Sequence, residues 1–130
     1  MSTGGSERPR IVASTSALGP EVGDPGATGA LWHLTGDERG LDANVVQLPP
    51  GGRIDRHAGP ALDVLWHVVA GAGRLLTDGD GDGDGLRIGP GDVVHLPRGT
   101  ERGVVAGEGG LRYLTVHDRK PPLGLGPTRS

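Results

Sequence analysis

The sequence has no cysteine and no phenylalanine, and it is poor in aromatic residues generally. Its 130 residues include one Tyr and two Trp, and hydrophobic residues make up only 34% of the chain. Without cysteine, the protein can form no disulfide, has no thiolate nucleophile and offers no thiolate ligand to zinc.

Long apolar runs and an excess of basic residues are missing as well. No stretch is long enough for the core of a signal peptide or for a transmembrane helix. The net charge of −3 provides no basic footprint for nucleic acid or for an anionic membrane. We therefore expect a soluble, cytoplasmic protein without nucleic-acid or membrane partners. No phosphate-binding loop, dinucleotide fingerprint or recognisable Ser nucleophile is present, which disfavours nucleophilic catalysis.

Glycine and proline, in contrast, are abundant, with 26 and 11 copies. Such a composition favours many short strands joined by turns, and the regular apolar alternation in the middle of the chain argues against disorder there. The length suits a single domain. We place this domain at residues 10–118, between a flexible N-terminal tail, 1–9, and a flexible C-terminal tail, 119–130.

Short strands at close spacing, with no convincing helix, predict an all-β sandwich or barrel. We expect Gly71 to end one strand, residues 74–77 to form its hairpin partner, and the turn at 107–110 to separate the last two strands. The expected strands are 10–14, 30–34, 41–48, 53–57, 63–70, 74–77, 86–88, 92–96, 102–106 and 111–117.

Two stretches resemble the two motifs of the cupin superfamily. In the first, Gly51 is followed after five residues by His57, then by Gly59, by Val64 and by a strand that reaches Gly71. In the second, residues 91–99 have the frame G-D-x-x-x-x-P-x-G, with Arg102 shortly after it. The resemblance covers about residues 51–105. It implies a cupin-type jelly-roll β-barrel, all-β, that forms a homodimer.

The resemblance also implies a cavity in which two His and one Glu of the first motif and one His of the second hold a divalent metal. Only His57 keeps its place in this sequence, because Gly59, Val64 and Arg102 occupy the other three positions. A cupin barrel without the usual metal site is therefore expected, with no metal cofactor favoured.

The alternation of strand residues decides which side chains face that cavity. If Val64 points inward, Trp66 and Val68 do so too, while Asp63 and His67 face the other way, unless a bulge reverses the order.

Arg102 suggests what such a pocket binds, because a guanidinium attracts carboxylate or phosphate groups in a bidentate way. Our first hypothesis is a pocket for a small molecule, with an anionic metabolite as the form that Arg102 favours. The ligand-binding residues would be His57, Trp66, Arg102, Val64 and Val68. Alternatively, Arg102 turns outward to solvent or pairs with Glu101. No catalytic residue is assigned, although His57 could act as an acid or base.

A second hypothesis is a metal-dependent enzyme of dioxygenase or isomerase type with a rearranged centre. It would use His57 and His95, with His67 or Asp63, to hold Fe, Mn, Ni or Zn. His117 is a further candidate, on a strand face with Leu111, Tyr113 and Thr115. A third hypothesis is a structural or regulatory barrel with a vestigial pocket.

A separate acidic stretch, Asp78-x-Asp80-x-Asp82-Gly83, matches the first half of a calcium loop. Gly89 stands where that loop requires a bidentate Glu, so a solvated hairpin turn is the favoured interpretation.

Overall fold

The computed structural model describes residues 8–26, 28–77 and 85–119, and this part of the chain is built from antiparallel β-strands with one 3₁₀ turn, Thr15–Ala17. The predicted all-β class is confirmed. The strands, numbered in chain order, are β1 Gly29–His33, β2 Leu41–Leu48, β3 Arg53–Ala58, β4 Val64–Thr77, β5 Leu86–Ile88, β6 Val93–Leu96 and β7 Glu101–Asp118.

The two longest strands, β4 and β7, run through both halves of the barrel. They pair with each other from Val64 opposite His117 to Thr77 opposite Arg102. Along the first part of β4 the strand order is β1-β2-β7-β4-β6, and along the second part it is β3-β7-β4-β5. The chain thus forms two sheets that share their central pair, which is the predicted jelly-roll arrangement.

The hydrophobic core lies between the inner faces of these two sheets. Leu48, Val64 and Val68 contribute from one half, and Leu75 and Val104 contribute from the other. Because alternate strand residues face the core, each of these side chains is followed by one on the outer face or at the rim. Aliphatic side chains make up most of this core, together with Trp66 and Tyr113.

The expected strands 63–70 and 74–77 form the single strand β4, and the expected strands 102–106 and 111–117 form the single strand β7. Neither Gly71 nor the 107–110 stretch interrupts its strand. Gly71 has φ 77° and Gly110 has φ 81°, and the register of the β4–β7 pair shifts on both sides of Gly71. Glycine adopts a positive φ at little cost, so each strand bends there and continues. The prediction that 74–77 is a hairpin partner of the preceding strand was therefore wrong.

The expected first strand, 10–14, is also absent from the described residues. The next segment, residues 15–21, passes over the outer face of the β2–β7 pair, where the Arg112 guanidinium donates to the carbonyl oxygens of Thr15 and Pro20. Arg112 Nε donates to Gln47 Oε1 at 2.6 Å, and both of these side chains are buried. Side-chain donors thus satisfy backbone carbonyls of this segment that a strand would have satisfied in a ladder.

Several predictions fall wholly or partly outside the described residues. These are the hairpin turn and calcium-loop hypothesis at 78–84 and most of the two tails, 1–7 and 120–130. Arg119, the first residue of the expected C-terminal tail, donates to the carbonyl oxygen of Asp37 at 2.7 Å. Among the described residues, no helix has the length and apolar character needed to cross a membrane.

The bend at Gly71 makes a prediction about stability. A Cβ at this position would lie 2.8 Å from the carbonyl carbon of Gly110 and would also have to adopt a positive φ. We expect Gly71→Ala to lower the free energy of unfolding by roughly 2–4 kcal/mol, measured by urea denaturation. Gly40→Ala is the control, because that position has no other atom within 4 Å and no positive φ. A Gly71→Ala protein as stable as the control would contradict this account of the bend.

Candidate functional site

A pocket of about 310 Å³ opens into the barrel between β3, β4 and β7. Among the described residues, its lining includes no Asp and no Glu. The lining residues that matter for ligand binding are His57, Val64, Trp66, Arg102, Tyr113, Thr115 and His117. We call this space the barrel pocket.

The alternation along β4 is the predicted one. Val64 and Trp66 are buried on the inner face and line the barrel pocket, while Asp63 and His67 are exposed on the other side. Val68, which was expected to line the pocket as well, is fully buried in the core and does not reach it. The bend that begins after Val68 directs the rest of β4 into the other sheet.

Arg102 points into the barrel, and only 5% of its surface is exposed. Its Nε donates to the carbonyl oxygen of Thr100 at 2.8 Å, and Nη2 lies 3.5 Å from the carbonyl oxygen of Pro97. Glu101 forms its ion pair with Arg56. Both alternatives raised by the sequence, an outward Arg102 and an Arg102–Glu101 pair, are therefore wrong.

Burial also changes the electrostatics of Arg102. Removal from water lowers the pKa of the guanidinium below its usual value, but an arginine remains protonated in proteins at neutral pH. No carboxylate forms an ion pair with Arg102 in the described part of the chain. The barrel pocket therefore contains a buried positive charge that lacks an anionic partner among these residues.

Gly59 explains how a side chain as large as arginine fits there. A Cβ built on Gly59 would lie 2.5 Å from Nη2 and 2.6 Å from Nε of Arg102. The guanidinium thus occupies the volume that any side chain at position 59 would need. Gly59 and Arg102 both depart from the cupin motifs. The two departures belong together, because the missing side chain at position 59 makes room for the arginine at position 102.

His57 stands directly opposite Arg102 in the β3–β7 pair. Its Nδ1 lies 2.9 Å from the carbonyl oxygen of Asp55. Because a carbonyl can only accept, Nδ1 carries the proton in this bond, and in the neutral ring Nε2 remains free to accept. His57 is exposed, which places it at the open side of the barrel pocket.

Trp66 and Tyr113 form the aromatic wall of the pocket. Their rings are stacked, with centroids 4.3 Å apart and planes inclined by 29°. Burial raises the pKa of Tyr113 to about 12, so its hydroxyl stays protonated at neutral pH. That hydroxyl has no hydrogen-bond partner among the described residues, which leaves it available as a donor.

Sequence reasoning did not assign Tyr113, Thr115 and His117 to the pocket, although it placed them on one strand face. They enter it because β7 pairs with β4, with His117 opposite Val64 and Thr115 opposite Trp66. His117 Nδ1 lies 2.8 Å from the carbonyl oxygen of Asp118. The alternation in β7 was visible in the sequence, but its pairing partner was not.

The residues of the rearranged metal centre are not brought together. His95 Nε2 lies 3.5 Å from Asp63 Oδ2 in an exposed pair on the outer face, and His67 lies on that face too, whereas His57 lines the barrel pocket. Among the described residues, no group of three or more His, Asp or Glu is placed to hold one ion.

The motif positions do not fit a metal either. Gly59 and Val64 supply no donor atom, and Arg102 adds a cation that would repel an ion.

The contact between Gly59 and Arg102 predicts the effect of a single methyl group. In Gly59→Ala the guanidinium, as the end of a flexible side chain, should move out of the pocket while the fold is kept, with a loss of stability below about 1 kcal/mol. The Arg102 Nε–H signal in nuclear magnetic resonance should then lose its protection from solvent exchange. Gly40→Ala is the matched control. Retention of full protection in Gly59→Ala would contradict the proposed competition for space.

The burial of Tyr113 predicts a dependence of stability on alkaline pH. The folded pKa, about 12, is raised above the ordinary value of 10.0, so the folded state holds the phenolic proton more tightly than the unfolded state. The stabilisation is therefore complete below pH 10 and is lost as the pH rises towards 12. Because Tyr113 is the single Tyr, phenolate absorbance measures it directly. A midpoint near 10 in the folded protein would contradict the burial.

Comparison with protein-family models finds no match, and comparison with curated proteins finds none either. Solved structures do match. KdgF from Halomonas sp. has 26% sequence identity and a TM-score of 0.55, over 63% of this chain and 72% of that one. An RmlC-like cupin from Shewanella frigidimarina has 20% identity and a TM-score of 0.52, over 62% of this chain and 68% of that one.

The polyketide cyclase RemF from Streptomyces resistomycificus has 21% identity and a TM-score of 0.62, over 89% of this chain and 83% of that one. These likenesses agree with the motifs in the sequence. The chain therefore folds as a cupin domain, a double-stranded β-helix of antiparallel strands.

Proposed function

We propose that the barrel pocket binds a small carboxylate-bearing molecule without a bound metal ion, and that Arg102 is the residue that binds the carboxylate. The observation that supports this is the buried Arg102 guanidinium, which has no carboxylate partner among the described residues and lies in a pocket with no acidic lining. A guanidinium in such surroundings pairs with a carboxylate through two parallel hydrogen bonds.

The other polar groups of the pocket support an anionic ligand as well. The Tyr113 hydroxyl is a free donor, and the Thr115 hydroxyl can also donate to oxygen. The imidazoles of His57 and His117 use Nδ1–H for backbone carbonyls, so they donate to a ligand through Nε2 only when the ring is protonated. No lining residue in the described part of the chain carries a negative charge that would repel a carboxylate. The chemistry of the lining therefore matches an anion. Among the described residues, the lining offers a metal ion only two imidazole nitrogens, and these lie in the same pocket as the Arg102 guanidinium, which would repel a cation.

The volume of the pocket and its apolar wall limit the size and the chemistry of the part of the ligand beyond its carboxylate. A volume of about 310 Å³ is at the small end of the usual range for ligand pockets, about 300–1,000 Å³. Val64 and Trp66 provide an apolar surface next to the charged end. We infer a compact ligand with one carboxylate and an apolar or aromatic body.

The metal-dependent alternative has less support, because His57 lines the barrel pocket whereas His67, His95 and Asp63 lie on the outer face, and His117 is the one further candidate ligand that joins His57 among the described residues. A polyketide cyclase is among the similar structures, but an identity of 21% supports only the fold. Catalytic residues therefore stay unassigned. The homodimer and the cytoplasmic location expected from the sequence stay predictions.

Fluorescence of Trp66 tests the proposal. In a Trp32→Phe background Trp66 is the single Trp, so its signal reports on the barrel pocket. We expect benzoate to bind roughly tenfold or more tightly than benzamide, its neutral counterpart, because only benzoate pairs with Arg102. Arg102→Gln should remove this preference.

Arg98→Gln is the control, because Arg98 is exposed and lies outside the barrel pocket. It should bind benzoate as the parent does. Equal affinity for benzoate and benzamide, or an Arg102→Gln protein that keeps the preference, would contradict the proposal.

A further inference from the structure

A row of arginines crosses the outer face of the second sheet, away from the barrel pocket. Arg74 on β4 stands directly opposite Arg87 on β5. On its other side Arg74 is opposite Val105 of β7, which is in turn opposite Arg53 of β3. Residues directly opposite each other in a sheet share a face, and neighbouring strands are about 4.8 Å apart. The three guanidinium groups therefore extend from one short stretch of surface.

Two of these arginines differ from most others in the described residues. Arg39, Arg56 and Arg98 form ion pairs with carboxylates, whereas the side chains of Arg74 and Arg87 have no ion pair or hydrogen bond with any residue in the described ranges 8–26, 28–77 and 85–119. Like charges placed directly opposite each other in a sheet are destabilising. The sheet thus contains an unfavourable pair that its own described residues do not compensate.

The surface beside the row is recessed. A cavity of about 620 Å³ is lined by Arg53, Arg74 and Arg87 together with small residues such as Gly73 and Gly107. In the part of the chain that the structure describes, no Asp or Glu lines this cavity, and the cavity shares no residue with the barrel pocket. The small residues leave room for a ligand to approach the backbone beneath the three positive charges.

We propose that this recess is a second binding site, for a small molecule that carries a pyrophosphate group. The planar fork of arginine matches phosphate oxygens in a bidentate way, and two adjacent guanidinium groups can bind one phosphate together. Arg53, about 10 Å from Arg74 across two strand spacings, is placed for the second phosphate. Its Nε is also 2.6 Å from Asp55 Oδ1, which keeps its side chain oriented.

A small molecule fits the recess better than a nucleic acid does. The cavity has the size of an ordinary ligand site, and the protein has a net charge of −3, unlike the strongly basic surfaces that bind nucleic acid. The site is independent of the barrel pocket, so either proposal can fail without the other.

Isothermal titration calorimetry with sodium pyrophosphate tests this site, with sulfate at matched ionic strength as the comparison anion. We expect pyrophosphate to bind at least about tenfold more tightly than sulfate. The double variant Arg74→Gln/Arg87→Gln should lose at least about tenfold in affinity, whereas Arg102→Gln and Arg98→Gln should stay within about twofold of the parent. The double variant should also be at least as stable as the parent without ligand, because a like-charge contact is removed.

Four results would overturn the proposal. The first is pyrophosphate binding no tighter than that of sulfate, and the second is an Arg74→Gln/Arg87→Gln protein that binds within about twofold of the parent. The third is a double variant that is less stable than the parent, which would assign the arginines to the folding of the β4–β5 hairpin. Loss of binding in Arg102→Gln would place the pyrophosphate in the barrel pocket and would equally contradict a second site.

Discussion

A guanidinium group withdrawn from water needs hydrogen-bond acceptors, space and a balancing charge, and these requirements shape the barrel pocket. The carbonyl oxygens of Thr100 and Pro97 accept from Arg102, and the missing side chain of Gly59 provides the space. No described carboxylate provides the balancing charge. The Arg102 side chain therefore has hydrogen-bond acceptors and space in the pocket, but no described carboxylate balances its positive charge. This unbalanced charge is the basis for proposing an anionic ligand.

This arrangement depends on the bends of β4 and β7. Because β4 continues through Gly71, it contributes Trp66 to the pocket and Leu75 to the core of the second sheet. Because β7 continues through Gly110, it contributes both Arg102 and Tyr113 to the pocket. A cupin barrel ordinarily brings metal ligands together in this way. Here the same scaffold brings together a guanidinium, a phenol and two imidazoles.

The sequence predicted the fold class, most strand positions and the inner face of β4, because period-2 alternation and turn residues are local signals. It did not predict that Gly71 and the 107–110 stretch bend strands, since glycine marks a bend and an end alike. Nor could it predict that Arg102 fills the volume above Gly59, or that Tyr113 and His117 join the pocket, because these contacts depend on strand pairing across many residues. The alternation correctly placed Val68 on the inner face of β4. It could not show that Val68 packs in the core beyond the pocket and does not line the pocket itself.

The central claim is that the Arg102 guanidinium provides the positive charge that a metal ion provides in other cupin barrels. A crystal structure of the protein grown with benzoate, with anomalous scattering recorded to detect metals, tests it most directly. The account predicts a carboxylate within hydrogen-bond distance of Arg102, against the wall formed by Trp66, and no metal in the pocket. A metal ion bound to His57, with Arg102 displaced from the space above Gly59, would contradict it.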